Sequence, residues 1–153
     1  MPNQLNHLRL EQVEAALKPY RQLQAVTTPG GGWLRTIREA LGMTVRQLAA
    51  RAAIAPATLH QSERSEAEDR ISLAQLRKLA SALDCELVYG LVPRKPLTEL
   101  VEDQAMRMAR TEILGVTHSM ALEDQRPGDT FVQQQLAQRR AELLAGKWSD
   151  LWR

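Results

Sequence analysis

The chain has 153 residues, 44% of them hydrophobic, and a formal charge of +2 from 20 basic and 18 acidic side chains. That balance excludes a polycation, so any nucleic-acid site must come from local clustering. One Phe and two Tyr leave a core of Leu, Ala and Val, which favours packed helices. The single cysteine, Cys85, excludes an internal disulfide and suits a reducing cytosol. There is no apolar run of roughly 18 residues, and the opening MPNQLNHLRLEQ lacks a signal-peptide core. A cytoplasmic protein with no membrane partner is expected.

In chain order, Leu5, Leu8, Val13, Ala16, Leu17 and Leu23 sit at helical spacing interrupted at Pro19. They predict an amphipathic helix, then a less regular arm. Thr27-Thr28-Pro29 followed by Gly30, Gly31 and Gly32 is the clearest break and closes an N-terminal helical arm over 1–32. Trp33, Leu34, Ile37, Ala40 and Leu41 predict a helix stopped at Gly42, a suitable residue just past a helix end. Thr44 can cap the next helix, with Gln47 reaching back as in a capping box, and Leu48, Ala49 and Ala52 give it one small apolar face. After a turn at Ala53-Ile54-Ala55, Pro56 suits a first helical position. Leu59 then points inward with Ile54, leaving Ala57, His60, Gln61 and Arg64 outside. Helices joined by so short a turn cross steeply, and the second can enter a major groove of double-stranded DNA.

Residues 62–70 (SERSEAEDR) read as a charged, weakly structured link. Ser72 caps a further helix with Gln75 at its third position and a stripe of Leu73, Leu76, Leu79, Ala80 and Leu83. Residues 86–92 (ELVYGLV) read as a short β-strand that ends a DNA-binding domain spanning 33–92. A lone strand leaves backbone groups unpaired, so it pairs either with its copy across a two-fold axis or with residues 23–28. Pro96 can open the longest helical stretch, 97–124, with Leu97, Leu100, Val101, Met108, Ala109 and Val116 on one face. A turn at Arg126-Pro127-Gly128-Asp129 leads to a helix over 130–145 built on Val132, Leu136 and Leu143, and then to a tail with two tryptophans. The region 93–153 is expected to dimerise or to bind a partner. The fold class is all-α: a helix-turn-helix bundle with one short β-strand and a C-terminal helical extension.

Residues 33–92 resemble the Cro/cI-type (xenobiotic-response-element) helix-turn-helix domain through Leu34 to Leu41, Thr44, Leu48, Ala49, Ile54, Leu59, Glu63 and the helix ISLAQLRKLASALD. Three positions depart from that pattern: Val45 for the usual Gln, Ala53 for the turn glycine and Ala55 for a Ser cap. A positive φ at Ala53 would cost about 1 kcal/mol. The resemblance implies that Arg38 and Glu63 form a structural ion pair. It also places Pro56, Ala57, His60 and Gln61 toward bases, with Gln61 the best reader because its amide can bond adenine twice, and Thr58 joins them as a DNA-binding candidate. Arg46, Arg51 and Arg64 are candidates for neutralising phosphates.

More narrowly, the blocks GWLRTIREALGMTVRQLA, LDCELVYGLVPRKPL and THSMALEDQ resemble the mobile mystery protein A family. Such proteins are typically encoded beside a Fic-domain protein, so the resemblance implies a DNA-binding repressor that is also the antitoxin-like partner of a Fic toxin. Residues 119–124 (SMALED) are similar to the inhibitory helix of Fic antitoxins, which assigns Ser119 and Glu123 the inhibitory role. Asp124 stands where that motif has Gly or Asn, and residues 98–103 (TELVED) show the same spacing. A plain homodimeric regulator and a Fic inhibitor that scarcely reads DNA are the alternatives. An enzyme is not expected: His7, His60, His118 and Cys85 lack metal-ligand spacing, the glycine run lacks the Lys-Ser/Thr of a phosphate loop, and Ser119 beside His118 makes no nucleophile–base pair. No cofactor is implied.

Overall fold

A computed structural model describes residues 2–122 and 128–153. Contacts divide the chain into two compact units, Gln22–Gly90 and Met1–Arg21 with Leu91–Arg153. The breaks read from the sequence at 32 and 92 follow the chain linearly. The contacts instead group the first helix with the C-terminal helices.

The unit Gln22–Gly90 holds α2 (Trp33–Ala40), α3 (Val45–Arg51), α4 (Pro56–Ala67) and α5 (Leu73–Ala82). Leu34, Leu48, Ala49, Ala52, Leu59, Leu79 and Leu83 form its buried core, with Ile37, Ile54 and Leu76 packed against it. The boundaries follow local chemistry. Thr44 and Gln47 form a complete capping box, and the Ser72 hydroxyl accepts from the Gln75 N–H. Each of the four helices ends with a left-handed residue (Gly42, Ala53, Asp69, Asp84) whose N–H and whose successor's N–H bond back to the last turn. These are Schellman stops that satisfy otherwise orphaned carbonyls.

Three expectations for this unit are corrected. First, no strand exists at 86–92 or elsewhere among the described residues. The segment is without regular structure, and Val88, Tyr89 and Leu91 are exposed. A strand needs a neighbour's backbone, and the first half of 23–28 cannot supply one, because the 3-10 helix Lys18–Ala25 takes residues 23–25. Second, the charged link at 62–70 is helical up to Ala67. Its Ser62 and Glu63 are buried, Ser62 Oγ donates to the Thr58 carbonyl, Ser65 and Glu66 are half-buried, and Arg64 and residues 67–70 face water. Third, Leu73 at the mouth of α5 is exposed.

The other unit contains α1 (Pro2–Leu17), α6 (Leu97–Leu122), α7 (Asp129–Ala145) and the 3-10 helix Trp148–Trp152. Pro19 marks the change from α to 3-10 geometry after α1. Val101, Ala105 and Ala109 recur every four residues on α6, and their small side chains let α7 approach with Leu136. Trp148 and Leu151 dock on Val101 and Ala105 together with Leu10 of α1. Trp148 Nε1 donates to the Leu144 carbonyl at 2.9 Å, while Trp152 stays exposed. Val116, expected on the inner face of α6, is exposed. Arg139–Glu112 and Arg140–Glu102 tie α7 to α6 across the surface, and Glu112, then Glu142, hold the Arg139 guanidinium above its ordinary pKa. No described helix is long and apolar enough to cross a membrane.

Candidate nucleic-acid interface

The sharp turn between α3 and α4 is made by backbone bonds. The Ala53 N–H reaches the Ala50 carbonyl at 3.2 Å and the Ile54 N–H reaches the Ala49 carbonyl at 3.0 Å. Ala53 adopts φ 53°, the left-handed conformation that glycine would take without strain. Ala55 occupies the cap position of α4 with no side-chain bond, and Pro56 opens the helix. Ile54 and the fully buried Leu59 then fix α4 by its inner face.

Two carboxylates on that inner face hold α4 to α2. Glu63, 4% exposed, accepts from Arg38 Nε at 2.6 Å and from Arg38 Nη2 at 3.1 Å, and Arg38 Nη1 donates to the Met43 carbonyl at 2.9 Å. The bidentate bond to Glu63 raises the Arg38 pKa against the opposing effect of burial. Glu66 accepts from the Trp33 and Leu34 N–H groups at 2.9 and 2.8 Å, capping a helix start that has no cap of its own. Gly32 (φ 80°) belongs to the same arrangement, because a Cβ there would meet Glu66 Oε2 at 2.8 Å. The sequence reading missed Glu66. Its signal was a carboxylate three residues beyond Glu63, on the same helix face.

The outer face of α4 consists of Pro56, Ala57, Thr58, His60, Gln61 and Arg64, all exposed. Gln61 Nε2 lies 3.4 Å from Ser65 Oγ, a long contact at the surface. Arg64 Nε pairs with Glu68 at 3.0 Å at the surface. Arg46 on α3 is exposed, with no side-chain partner among the described residues. Arg51 is committed elsewhere: Nε donates to the Ala82 carbonyl and Nη2 to Asp84, both at 2.8 Å. A groove beside α4 is lined by Ala57, Thr58 and Gln61 on one wall and by Arg70, Ser72 and Gln75 on the other. Arg70, which pairs with Glu68, and Gln75 were not singled out from the sequence as DNA contacts. Apolar, amide and cationic groups thus alternate over one convex helix, which suits base edges and phosphates more than a small substrate.

Ser119 lies within α6, and Glu123 falls outside the described residues. Among the described residues no cluster of His, Cys, Asp and Glu could hold a metal ion. Residues 34–89 match the family model described as Helix-turn-helix, a DNA-binding domain. No curated protein and no solved structure matches the chain.

Proposed function

We propose that this chain is a sequence-specific DNA-binding transcriptional repressor. The observation that carries the reading is the division of α4 between its two faces. Leu59, Ser62, Glu63 and Glu66 lock it from within, so Ala57, Thr58, His60 and Gln61 are presented on a rigid ridge. In this reading Gln61 reads bases, Pro56 and Ala57 offer apolar contact to thymine methyls, and Arg46 and Arg64 neutralise phosphates. Arg51 is not assigned a phosphate, because Asp84 already holds it. The test is fluorescence anisotropy of the full chain with a duplex selected from a random pool and with a scrambled duplex. Tighter binding to the selected site, falling steeply with salt, is expected; equal affinities would contradict sequence-specific reading.

We further propose that the repressor acts as a cytoplasmic homodimer and as antitoxin-like partner of a Fic-domain protein. The dimer is supported by the exposed Val88, Tyr89 and Leu91, which a two-fold neighbour would cover, and by the gain in affinity from two half-sites. The Fic role is supported by the resemblance of the three sequence blocks and of 119–124, with Ser119 and Glu123 as the inhibitory pair. Monomeric mass at micromolar concentration would refute the dimer. A Fic protein purified with this chain should regain AMP transfer on Glu123→Gly, and unaltered inhibition would remove the motif. Pro56 and Ala57 carry no hydrogen-bonding side chain, which favours a second reading, a Fic inhibitor with little DNA reading. Absence of any salt-dependent DNA complex would select it.

A further inference from the structure

A groove of about 980 Å³ runs along α1 toward the C-terminal 3-10 helix, within the size range of small-molecule sites. Its walls carry Leu5 and Val13 of α1 together with Trp148 and Trp152. Leu5, Val13 and Trp152 are 67%, 43% and 57% exposed, so a continuous apolar strip faces water. Trp148, 9% exposed and packed on Val101 and Ala105, closes the floor of the groove, and Trp152 supplies the exposed ring surface. The charged side chains of the groove are Arg9 and Lys147, both exposed and both without a partner among the described residues. No acidic side chain lines it among the described residues. From Asn3 to Val13 the floor extends about 15 Å along the helix axis, too short for a long partner helix but matched to a small amphiphile.

We propose that this groove binds a small amphipathic anion, an aliphatic or aryl carboxylate whose apolar body lies along Leu5, Val13 and the tryptophans while Arg9 and Lys147 hold its head. Apolar contact alone would accept any hydrocarbon chain, so the cations set the selectivity. A neutral chain of equal length gains only the apolar part, and an amine is repelled as well.

The test uses the full chain with Trp33→Phe, so that the remaining emission comes from Trp148 and Trp152. It is titrated with decanoate, decanol and decylammonium below their aggregation limits. Saturable change with decanoate is expected, as is binding about tenfold weaker in Arg9→Ala/Lys147→Ala, where two surface charge pairs with the head are removed. Val13→Asp should abolish decanoate binding by placing a charge on the apolar wall. These positions are exposed, and an unchanged melting temperature confirms that each variant folds. Equal responses to all three probes would overturn the proposal, as would no response, or a decanoate response that the double variant retains. A change of mass in place of saturable binding would assign the strip to a second copy and equally overturn it.

Discussion

Arg38→Ala is the most informative perturbation of the scaffold behind α4. In the native chain Arg38 is 7% and Glu63 4% exposed, and the guanidinium supplies both carboxylate oxygens and the Met43 carbonyl with donors. Truncation removes all three bonds and leaves a carboxylate that water scarcely reaches. The stranded charge dominates, and the expected loss is about 3–5 kcal/mol. Against a usual total of about 5–15 kcal/mol, that is a large part of the stability. The assay is urea denaturation combined with amide exchange at Leu48 and Leu59, which are buried in the same unit and report its opening locally. A paired replacement, Arg38→Met with Glu63→Leu, should recover most of the loss, because no unpaired charge is left. The reasoning is refuted if Arg38→Ala is neutral within about 0.5 kcal/mol, or if the paired variant is as unstable as the single one.

Ala53→Gly should raise stability by about 0.5–1 kcal/mol in thermal melts, since glycine takes the left-handed turn without strain. Glu66→Ala should cost about 1–2 kcal/mol through loss of the α2 cap; equal protection of the Trp33 and Leu34 amides in both proteins would contradict the capping role. Gln61→Ala should narrow the affinity gap between selected and scrambled duplexes. Arg46→Ala should weaken both alike and lower the salt slope by about 0.9 for each phosphate that is no longer neutralised. The hydrogen bond from Arg35 holds the Glu39 carboxyl below its ordinary 4.5. Its contribution to stability is therefore present above that value and lost as pH falls through the depressed one. In Arg35→Gln, NMR titration should find Glu39 raised toward the ordinary range, with Arg38 still lowering it.

The caps, stops and short helices of Gln22–Gly90 were readable because each rests on residues adjacent in sequence: Thr44 with Gln47, Ser72 with Gln75, Gly42, Pro56. The turn at Ala53 was also located, with its strain. What failed depended on distant partners. ELVYGLV has strand-forming side chains, yet a strand is defined by a neighbour's backbone, which local propensity does not reveal. SERSEA reads as a loop by its polarity; the resemblance ties Glu63 to Arg38, as observed, but nothing local shows Glu66 turning inward to the start of α2. In the other unit, Ala105 and Leu151 escaped notice because their burial depends on α1 and α7 meeting α6. At the site, exposure of the α4 residues followed from helical period. The diversion of Arg51 to Asp84 did not, because those residues lie 33 positions apart.

The two-sided construction of α4 has a consequence for change over time. Since its anchoring groups at 59, 62, 63 and 66 lie on the opposite side from the outward positions 57, 60, 61 and 64, the outward set can drift or be randomised without disturbing the framework. A library at those four codons should yield mostly folded members with divergent target preferences. If α4 reads DNA as proposed, its address is thus separable from the frame that displays it.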